Sequence, residues 1–299
     1  MPCAYPYFLF MKKKSKGKYR IRKNELRKFL KENSYRDDVL ISTKSPCWLM
    51  EEKGDFEYYL DKQLEKLQTD SIDIYLLHAL TKNDWDKVRK LRVLDFLDDS
   101  LSSGKIKHVG FSSHTEIDTF VDILDAYPKW EVVLTQMNYL DEYYQTGVMG
   151  LDELKRLNIG SMIMEPLRGG RLVQNIPPEV QKLWNGAEVK RTPVEWALEY
   201  LWNRDDVDCV LSGMNSLEQV RQNIQIASDV KEISEHDHDL IREVARTYKT
   251  LTGNDCTCCG YCMPCPEDVD IINCFKEYNI GKMLNNPKGS ALQYFTLID

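Results

Sequence analysis

The chain of 299 residues alternates short apolar, β-branched runs with amphipathic segments, and this alternation limits the folds that it can adopt. Such runs predict strands buried on both faces, and the spacing of the amphipathic segments predicts helices. We expect strands at residues 39–43, 72–77, 106–111, 132–136, 159–164 and 207–211. We expect helices at residues 56–67, 93–101, 117–126, 151–157, 193–202 and 216–227. This order predicts parallel β-α units of the α/β class.

The number of β-α units favours a (β/α)8 TIM barrel over a doubly wound sheet. No G-x-G-x-x-G segment follows a predicted strand, which weighs further against the doubly wound alternative. Only six strands can be counted in the sequence, whereas a closed barrel of this class has eight. We therefore expect a barrel that lacks its first strands, or a natural start that precedes Met1 and supplies them.

The composition indicates a globular protein with an acidic balance. Hydrophobic residues make up 42% of the chain, which is enough for a substantial core, and the formal net charge is −7. Nucleic acid is therefore not expected as a partner, although residues 12–18 form a basic run. No apolar stretch is long enough to span a membrane, and the first residues lack the charge order of a secretory signal. We expect a cytoplasmic protein.

The nine cysteines are unevenly distributed, because five of them lie between Cys256 and Cys265. Disulfides are rare in a reducing compartment, so this clustering predicts a metal site. The run contains the pattern C-x2-C-x2-C-x2-C-P, whose cysteines are Cys256, Cys259, Cys262 and Cys265. Closely spaced thiolates followed by proline are typical of ferredoxin-like 4Fe-4S sites. The fourth ligand is Cys265 or Cys274, and a structural zinc site is the alternative.

The last part of the chain differs in character from the alternating part. Residues 235–239 are polar and predict a hinge, and helices are expected at residues 240–248 and 271–282. We therefore predict a barrel domain over residues 1–232. A small α-rich domain over residues 233–299 would carry the cysteine run.

Residues able to do chemistry follow the predicted strands one after another. In (β/α) barrels the functional residues lie at the carboxyl ends of the strands. Each has an ordinary explanation by itself, since a lysine there is usually solvated and a histidine is more often structural. Together they predict an active site at this edge, formed by Lys44, His78, Ser112, Ser113, His114, Gln136, Glu165, Leu167, Ser212 and Gly213.

Several ordered segments resemble the aldo-keto reductase family, in the branch that ends in a ferredoxin-like cysteine motif. These segments are ISTK at 41–44, DSIDIYLLH at 70–78, GKIKHVGFS at 104–112, MEPLRGG at 164–170, EWAL at 195–198 and LSGM at 211–214. The resemblance implies an NADP(H)-linked oxidoreductase that acts on a small-molecule carbonyl or alcohol substrate. It also implies a 4Fe-4S cluster that serves electron transfer or structure, and a redox partner protein is a further expectation.

In that family a tyrosine, a lysine, a histidine and an aspartate surround the nicotinamide. Lys44 matches the lysine and His78 the histidine, and PCAYPY at 2–7 resembles the D-T-A-x-x-Y segment that supplies the tyrosine as Tyr7. The aspartate position falls on Pro2, which cannot hold the lysine. Hydride transfer to a carbonyl carbon requires a proton at the oxygen. Lys44 would lower the pKa of the Tyr7 phenol for this step, and His78 would orient the oxygen.

The resemblance also implies a set of cofactor contacts. Ser112, Ser113 and Gln136 would face the nicotinamide amide, although Gln136 could equally be a hydrogen-bonded amide of the barrel core. Ser212 and Gly213 would form a phosphate-binding turn before the last helix of the barrel, or an ordinary strand-to-helix turn. The remaining predicted contacts are Glu165 and Leu167, with Gln219 and Asn223 at adenosine-contacting positions.

The alternative function is that of a catalytically inactive member of the family that binds an iron–sulfur cluster or relays electrons. A barrel without its first strands would leave strand edges unpaired and core side chains exposed. The absent aspartate also weakens the catalytic interpretation. Binding of NADPH separates the two alternatives, because only the reductase requires it.

Overall fold

The computed structural model describes residues 8–9, 36, 40–254, 256 and 261–298. These residues form two compact units. The first, which we call the strand unit, contains the described residues up to 137, together with 142–164 and 205–211. The second, which we call the helical unit, contains the described residues among 138–141, 165–204 and 212–298.

The strand unit is built on one sheet whose strands follow the order of the chain. The strands are β1 (Phe8–Leu9), β2 (Leu40–Ser45), β3 (Ile72–Leu80), β4 (Ile106–Ser113), β5 (Val132–Gln136), β6 (Gly160–Met164) and β7 (Cys209–Val210). Every neighbouring pair is parallel. The six predicted strands are confirmed, with the last reduced to two residues, and the α/β class is confirmed with them.

The sheet contains one strand more than the sequence patterns predict. β1 precedes the first predicted strand and pairs with β2 through Phe8–Leu40 and Leu9–Ile41. In the part of the chain that the structure describes, β1 and β7 each pair on one side only, so these seven strands form an open sheet. The expectation of a parallel sheet short of a complete eight-stranded barrel therefore holds for the described residues.

Five helices accompany the strands of this unit. They are α1 (Gly54–Leu67), α2 (Lys82–Lys90), α3 (Val93–Ser102), α4 (Ile117–Asp125) and α5 (Gly147–Leu157). The sequence patterns predict four of them and miss α2. This helix is strongly polar and buries only Trp85 and Val88, so its apolar periodicity is too weak to detect.

The helical unit contains six helices. They are α6 (Pro178–Gly186), α7 (Pro193–Trp202), α8 (Leu217–Ser228), α9 (Glu235–Thr250), α10 (Ile271–Met283) and α11 (Pro287–Ile298). The predicted start of α7 is confirmed, because Thr192 caps it in a capping box with Glu195. No helix within the described ranges is long and apolar enough to cross a membrane.

The predicted hinge at residues 235–239 is wrong. These residues form the first turn and a half of α9, which Ser234 caps by accepting a hydrogen bond from the Asp237 backbone N–H at 3.1 Å. The Asp237 carboxylate in turn accepts from the Ser234 backbone N–H at 3.1 Å. Acidic side chains are favourable near a helix N-terminus, so a polar run there marks a helix start rather than a break.

A buried carboxylate joins three neighbouring strands of the sheet. Asp73 of β3 is 2% exposed, and its Oδ2 accepts a hydrogen bond from the Ile41 backbone N–H of β2 at 2.8 Å. Its Oδ1 lies 2.8 Å from the Lys107 Nζ of β4, and its Oδ2 lies 2.9 Å from Arg36 Nη2. Burial by itself would raise the pKa of Asp73, but these three partners hold the pKa below its ordinary value of 3.8. The carboxylate therefore stays charged and fixes the amino ends of the strands.

Replacement of Asp73 by alanine should lower the free energy of unfolding by about 2 kcal/mol, because the buried Ile41 N–H loses its acceptor. Because folding lowers the pKa of this carboxyl, its stabilisation is present above pH 3.8 and is lost as the pH falls through the folded-state pKa. Urea denaturation over a pH series measures both effects. The control Asp61→Ala removes an exposed ion pair with Lys105 and should cost less than about 1 kcal/mol. Equal losses in the two variants would contradict this account.

Candidate active site

Three of the predicted site residues lie on one face of the sheet. Side chains alternate between faces along a strand, and paired residues of neighbouring strands share a face. Lys44 pairs with Leu76, and Leu76 pairs with Gly110. The same face continues through the pairs Ser112–Leu134 and Gln136–Met164. The register therefore places the side chains of Lys44, Ser112 and Gln136 on one face, near the carboxyl ends of their strands. His78 lies at the same edge of the sheet, where the register of β3 shifts.

The same face is apolar toward the amino ends of the strands. It carries a buried cluster, bordered by partly buried side chains, whose members are Ile74, Leu76, Leu134 and Met162. Gly110 lies among them because β4 and β5 approach closely, and a Cβ at this position would lie 1.9 Å from the Val132 carbonyl oxygen. The polar residues at the carboxyl ends therefore lie at the edge of a packed apolar core.

Lys44 is a partly buried cation at the end of β2. Burial lowers its pKa from 10.5 to about 8. At neutral pH roughly ten such ammonium groups are charged for each neutral one, so Lys44 still provides a positive charge there. The Lys44 carbonyl accepts a hydrogen bond from Gln63 Nε2 of α1 at 3.0 Å, which fixes the strand end. A cation with little solvent around it acts on neighbouring groups more strongly than one in water.

His78 lies where β3 loses its regular pairing. The register shifts between Leu77 and Leu80, and Ala79 has a φ of 53°. The Ser112 hydroxyl accepts a hydrogen bond from the Ala79 N–H at 2.7 Å, so this predicted cofactor residue also stabilises the turn that follows His78. The His78 ring contacts the Trp48 ring edge-on, with 5.0 Å between the centroids. Trp48 is a site residue that the strand-end pattern does not predict, although its aromatic ring four positions after Lys44 is a usable sequence signal.

Ser113 differs from the other predicted residues of this edge. By strand alternation it falls on the opposite face from Ser112. Its Oγ lies 2.7 Å from Thr115 Oγ1 and accepts a hydrogen bond from the Thr115 N–H at 3.1 Å. The Ser113 hydroxyl is therefore engaged in closing the turn after β4. Its predicted contact with the nicotinamide amide stays a prediction.

In the helical unit, the predicted residues Glu165 and Leu167 belong to a tight turn. The Glu165 carbonyl accepts from the Arg168 N–H at 3.0 Å, and the Leu167 carbonyl accepts from the Gly170 N–H at 2.9 Å. Arg168 Nε forms an ion pair with Asp141 Oδ2 at 3.0 Å. Its Nη1 is buried and has no hydrogen-bond partner among the residues that the structure describes. Arg168 therefore retains an unsatisfied cationic donor, which the sequence analysis missed.

The other predicted cofactor residues of the helical unit meet at the start of α8. Ser212 Oγ accepts a hydrogen bond from Asn223 Nδ2 at 2.8 Å, and Gln219 Oε1 accepts from the Asn215 N–H at 2.9 Å. Ser216 caps the helix by accepting from the Gln219 N–H at 3.2 Å. A Cβ built on Gly213 would have no atom within 4 Å, so there is open space beside the turn. A helix N-terminus with open space beside it suits an anion such as phosphate.

The described part of the cysteine run contains three free thiols. Cys256 and Cys265 are half-buried and Cys262 is exposed. Asn254 accepts a hydrogen bond from the Cys256 N–H at 3.0 Å and is itself held by Asn279 of α10. Thus the start of the run is attached to a helix.

Some of the predicted ligands and catalytic groups cannot be placed by the structure. Cys259, Tyr7 and Pro2 lie outside the described residues. Within those ranges, no three His, Cys, Asp or Glu side chains are grouped as a metal site. The Cys274 thiol of α10 lies beside the Tyr294 hydroxyl of α11, and this neighbour raises the pKa of Tyr294. This contact distinguishes Cys274 from the cysteines of the run.

Comparison with known proteins gives consistent matches. The chain matches the sequence model of the aldo/keto reductase family over residues 17–246. L-galactose dehydrogenase of Arabidopsis thaliana is 26% identical over 232 residues, which cover 70% of each chain. An aldo-keto reductase of Bacillus halodurans, solved in holo and apo forms, is 22% identical and matches 75% of this chain in both. The TM-scores are 0.62 and 0.61, with 77% and 76% of those chains covered, and they show likeness of fold.

Proposed function

Because the chain belongs to the aldo/keto reductase family, we propose that it is an NADP(H)-linked oxidoreductase that interconverts a carbonyl compound and its alcohol. One observation carries this proposal. Lys44, with its pKa lowered by burial to about 8, lies at the same carboxyl edge of the sheet as His78. Residues with perturbed pKa values at the carboxyl ends of parallel strands are candidates for catalysis, and a cation together with an imidazole can stabilise the charge that develops on a carbonyl oxygen.

The proposed chemistry divides the work between cofactor and protein. NADPH, when bound, supplies the hydride that forms the new C–H bond at the carbonyl carbon. The oxygen gains negative charge as the carbon–oxygen π bond breaks, and it must receive a proton. The His78 imidazole donates a hydrogen bond to this oxygen, and the Lys44 ammonium stabilises its charge. Tyr7, outside the described residues, is the proposed proton donor, whose pKa the Lys44 charge lowers.

Several residues would hold the dinucleotide. In the strand unit, Ser112 and Gln136 share a face with Lys44 and are the proposed nicotinamide contacts. In the helical unit, two features support phosphate binding: the open space beside Gly213 at the start of α8, and the unsatisfied Nη1 of Arg168. An anionic oxygen would supply the acceptor that this buried guanidinium nitrogen lacks among the described residues.

Replacement of Lys44 by methionine should reduce kcat about a hundredfold or more, because the cation that assists proton transfer is lost. The assay follows NADPH oxidation with 4-nitrobenzaldehyde as the acceptor, on wild-type protein purified without oxygen. L-galactose with NADP⁺ tests the reverse direction. The control Lys66→Met removes an exposed lysine of α1 and should leave turnover unchanged. Absence of turnover by folded wild-type protein that contains its cluster would instead favour the inactive, electron-relaying alternative.

We further propose that a 4Fe-4S cluster is bound by Cys256, Cys259, Cys262 and Cys265. The donor set fits, since closely spaced thiolates are the ligands of such clusters and the three described thiols are free. Cys265 is the proposed fourth ligand because it continues the C-x2-C spacing of the run, whereas Cys274 lies on α10 beside Tyr294. When assembled, the cluster supplies one-electron transfer or a covalent link across the cysteine run.

Protein purified without oxygen should contain about four iron atoms and about four sulfides per chain. Most of this iron should be lost in each of the variants Cys256→Ser, Cys262→Ser and Cys265→Ser. The iron should be kept in Cys274→Ser and in the control Cys47→Ser, which changes a buried cysteine outside the run. Chemical iron and sulfide determination, with electron paramagnetic resonance of the reduced protein, provides the measurement. Stoichiometric zinc without sulfide would show that the site is structural zinc.

A further inference from the structure

The loop that follows Lys44 packs against both the backbone and the ring of His78. A single 3-10 turn, Cys47–Leu49, comes directly after β2. The Cys47 thiol is fully buried and lies beside the backbone of His78. The next residue, Trp48, places its ring at 5.0 Å from the His78 ring, with an angle of 62° between the two planes. Two consecutive residues of one short turn therefore contact the same histidine.

Helix α2 holds this turn from the other side. Lys87 Nζ donates a hydrogen bond to the Trp48 carbonyl oxygen at 2.9 Å. α2 is itself anchored by the side chains of Trp85, which is 2% exposed, and Val88, which is fully buried. Because α2 follows β3 directly, the strand that carries His78 and the helix that holds Trp48 are consecutive in the chain.

These contacts involve packing and positioning rather than reactivity of the thiol. Burial, as the largest effect, raises the pKa of Cys47 to about 12, so the thiol stays protonated at neutral pH. The β3 ladder is irregular just beyond His78, so regular strand pairing does not fix the imidazole. An edge-to-face aromatic contact limits the rotation of both rings.

We propose that Trp48 and Lys87 are positioning residues that set the orientation of the His78 imidazole. Lys87 fixes the Trp48 backbone, and the Trp48 ring then restricts the imidazole. The inference rests on the proposed function, in which His78 hydrogen-bonds the carbonyl oxygen. A displacement of about 1 Å at such a group can cost about a hundredfold in rate.

The experiment compares Trp48→Leu, Trp48→Phe and Lys87→Met with the control Lys90→Met, which removes an exposed lysine from the same helix. Trp48→Leu should lower kcat with NADPH and 4-nitrobenzaldehyde between about tenfold and about a hundredfold, with little change in KM. Lys87→Met should lower kcat about threefold, as expected for loss of one hydrogen bond. Trp48→Phe retains a ring edge and should restore most of the activity, and Lys90→Met should match wild type.

Nuclear magnetic resonance provides a readout that does not depend on turnover. The His78 ring signals are assigned by their absence from His78→Gln. In wild type and Lys90→Met they should show an Overhauser contact with the Trp48 indole. In Lys87→Met this contact should weaken, and in Trp48→Leu the His78 signals should shift.

The outcomes separate this inference from the proposed function. His78 signals that are unchanged in Trp48→Leu would overturn the inference, as would a variant whose KM rises while kcat stays the same, since Trp48 would then only contact substrate. Wild-type protein that shows the Overhauser contact but no turnover would instead refute the reductase proposal. Circular dichroism of each variant identifies any that fail to fold, in which case Trp48→Phe and Lys87→Met decide the result.

Discussion

The carboxylate of Asp73 is the interaction on which the arrangement of the strand unit depends. It ties β3 to the backbone of β2 and to a lysine of β4, and it does so near the amino ends of all three strands. A strand that slips by one residue moves every side chain to the other face of the sheet. Fixing the register at one end therefore determines which side chains meet at the other end. Lys44 and Ser112 share a face for this reason.

The candidate site combines an apolar face with a charge that burial disfavours. The cluster around Leu76 and Leu134 supplies the buried surface, and Lys44 lies at its edge with a pKa lowered to about 8. A solvated lysine would avoid this unfavourable desolvation, so the sheet holds Lys44 at some cost in stability. Such a cost is expected where a charge must act on a reacting group rather than on water.

Much of the strand unit could be predicted from the sequence, because buried parallel strands are continuous apolar runs. The run at 132–136 matches β5 residue for residue, and the Thr192–Pro193 pair marks the start of α7. Local sequence signals predicted the wrong structure, or none, where tertiary contacts or charge determine it. The acidic run at 235–239 begins a helix because Ser234 caps it, and α2 is too polar to show a periodic apolar face.

Part of the candidate site could also be predicted, because the strands that carry it are recognisable in the sequence. Strand ends can be located from the sequence, so Lys44, His78, Ser112 and Gln136 could be assigned to one edge. The contact between Trp48 and His78 depends on how a short turn packs, which no spacing rule indicates. The Ser113 hydroxyl contacts Thr115, and this contact depends on the conformation of the turn after β4, which the sequence does not show. Arg168 was missed because its unsatisfied nitrogen is a property of packing.

Calorimetric titration of NADPH into folded wild-type protein, purified without oxygen, tests the central claim most directly. The claim is that the chain binds a nicotinamide dinucleotide, with Lys44 and His78 at the reacting end. We predict saturable binding of one NADPH per chain, with NADP⁺ competing for the same site. Absence of binding heat over a range of temperatures, together with an unchanged NADPH fluorescence, would contradict the claim and the reductase proposal with it.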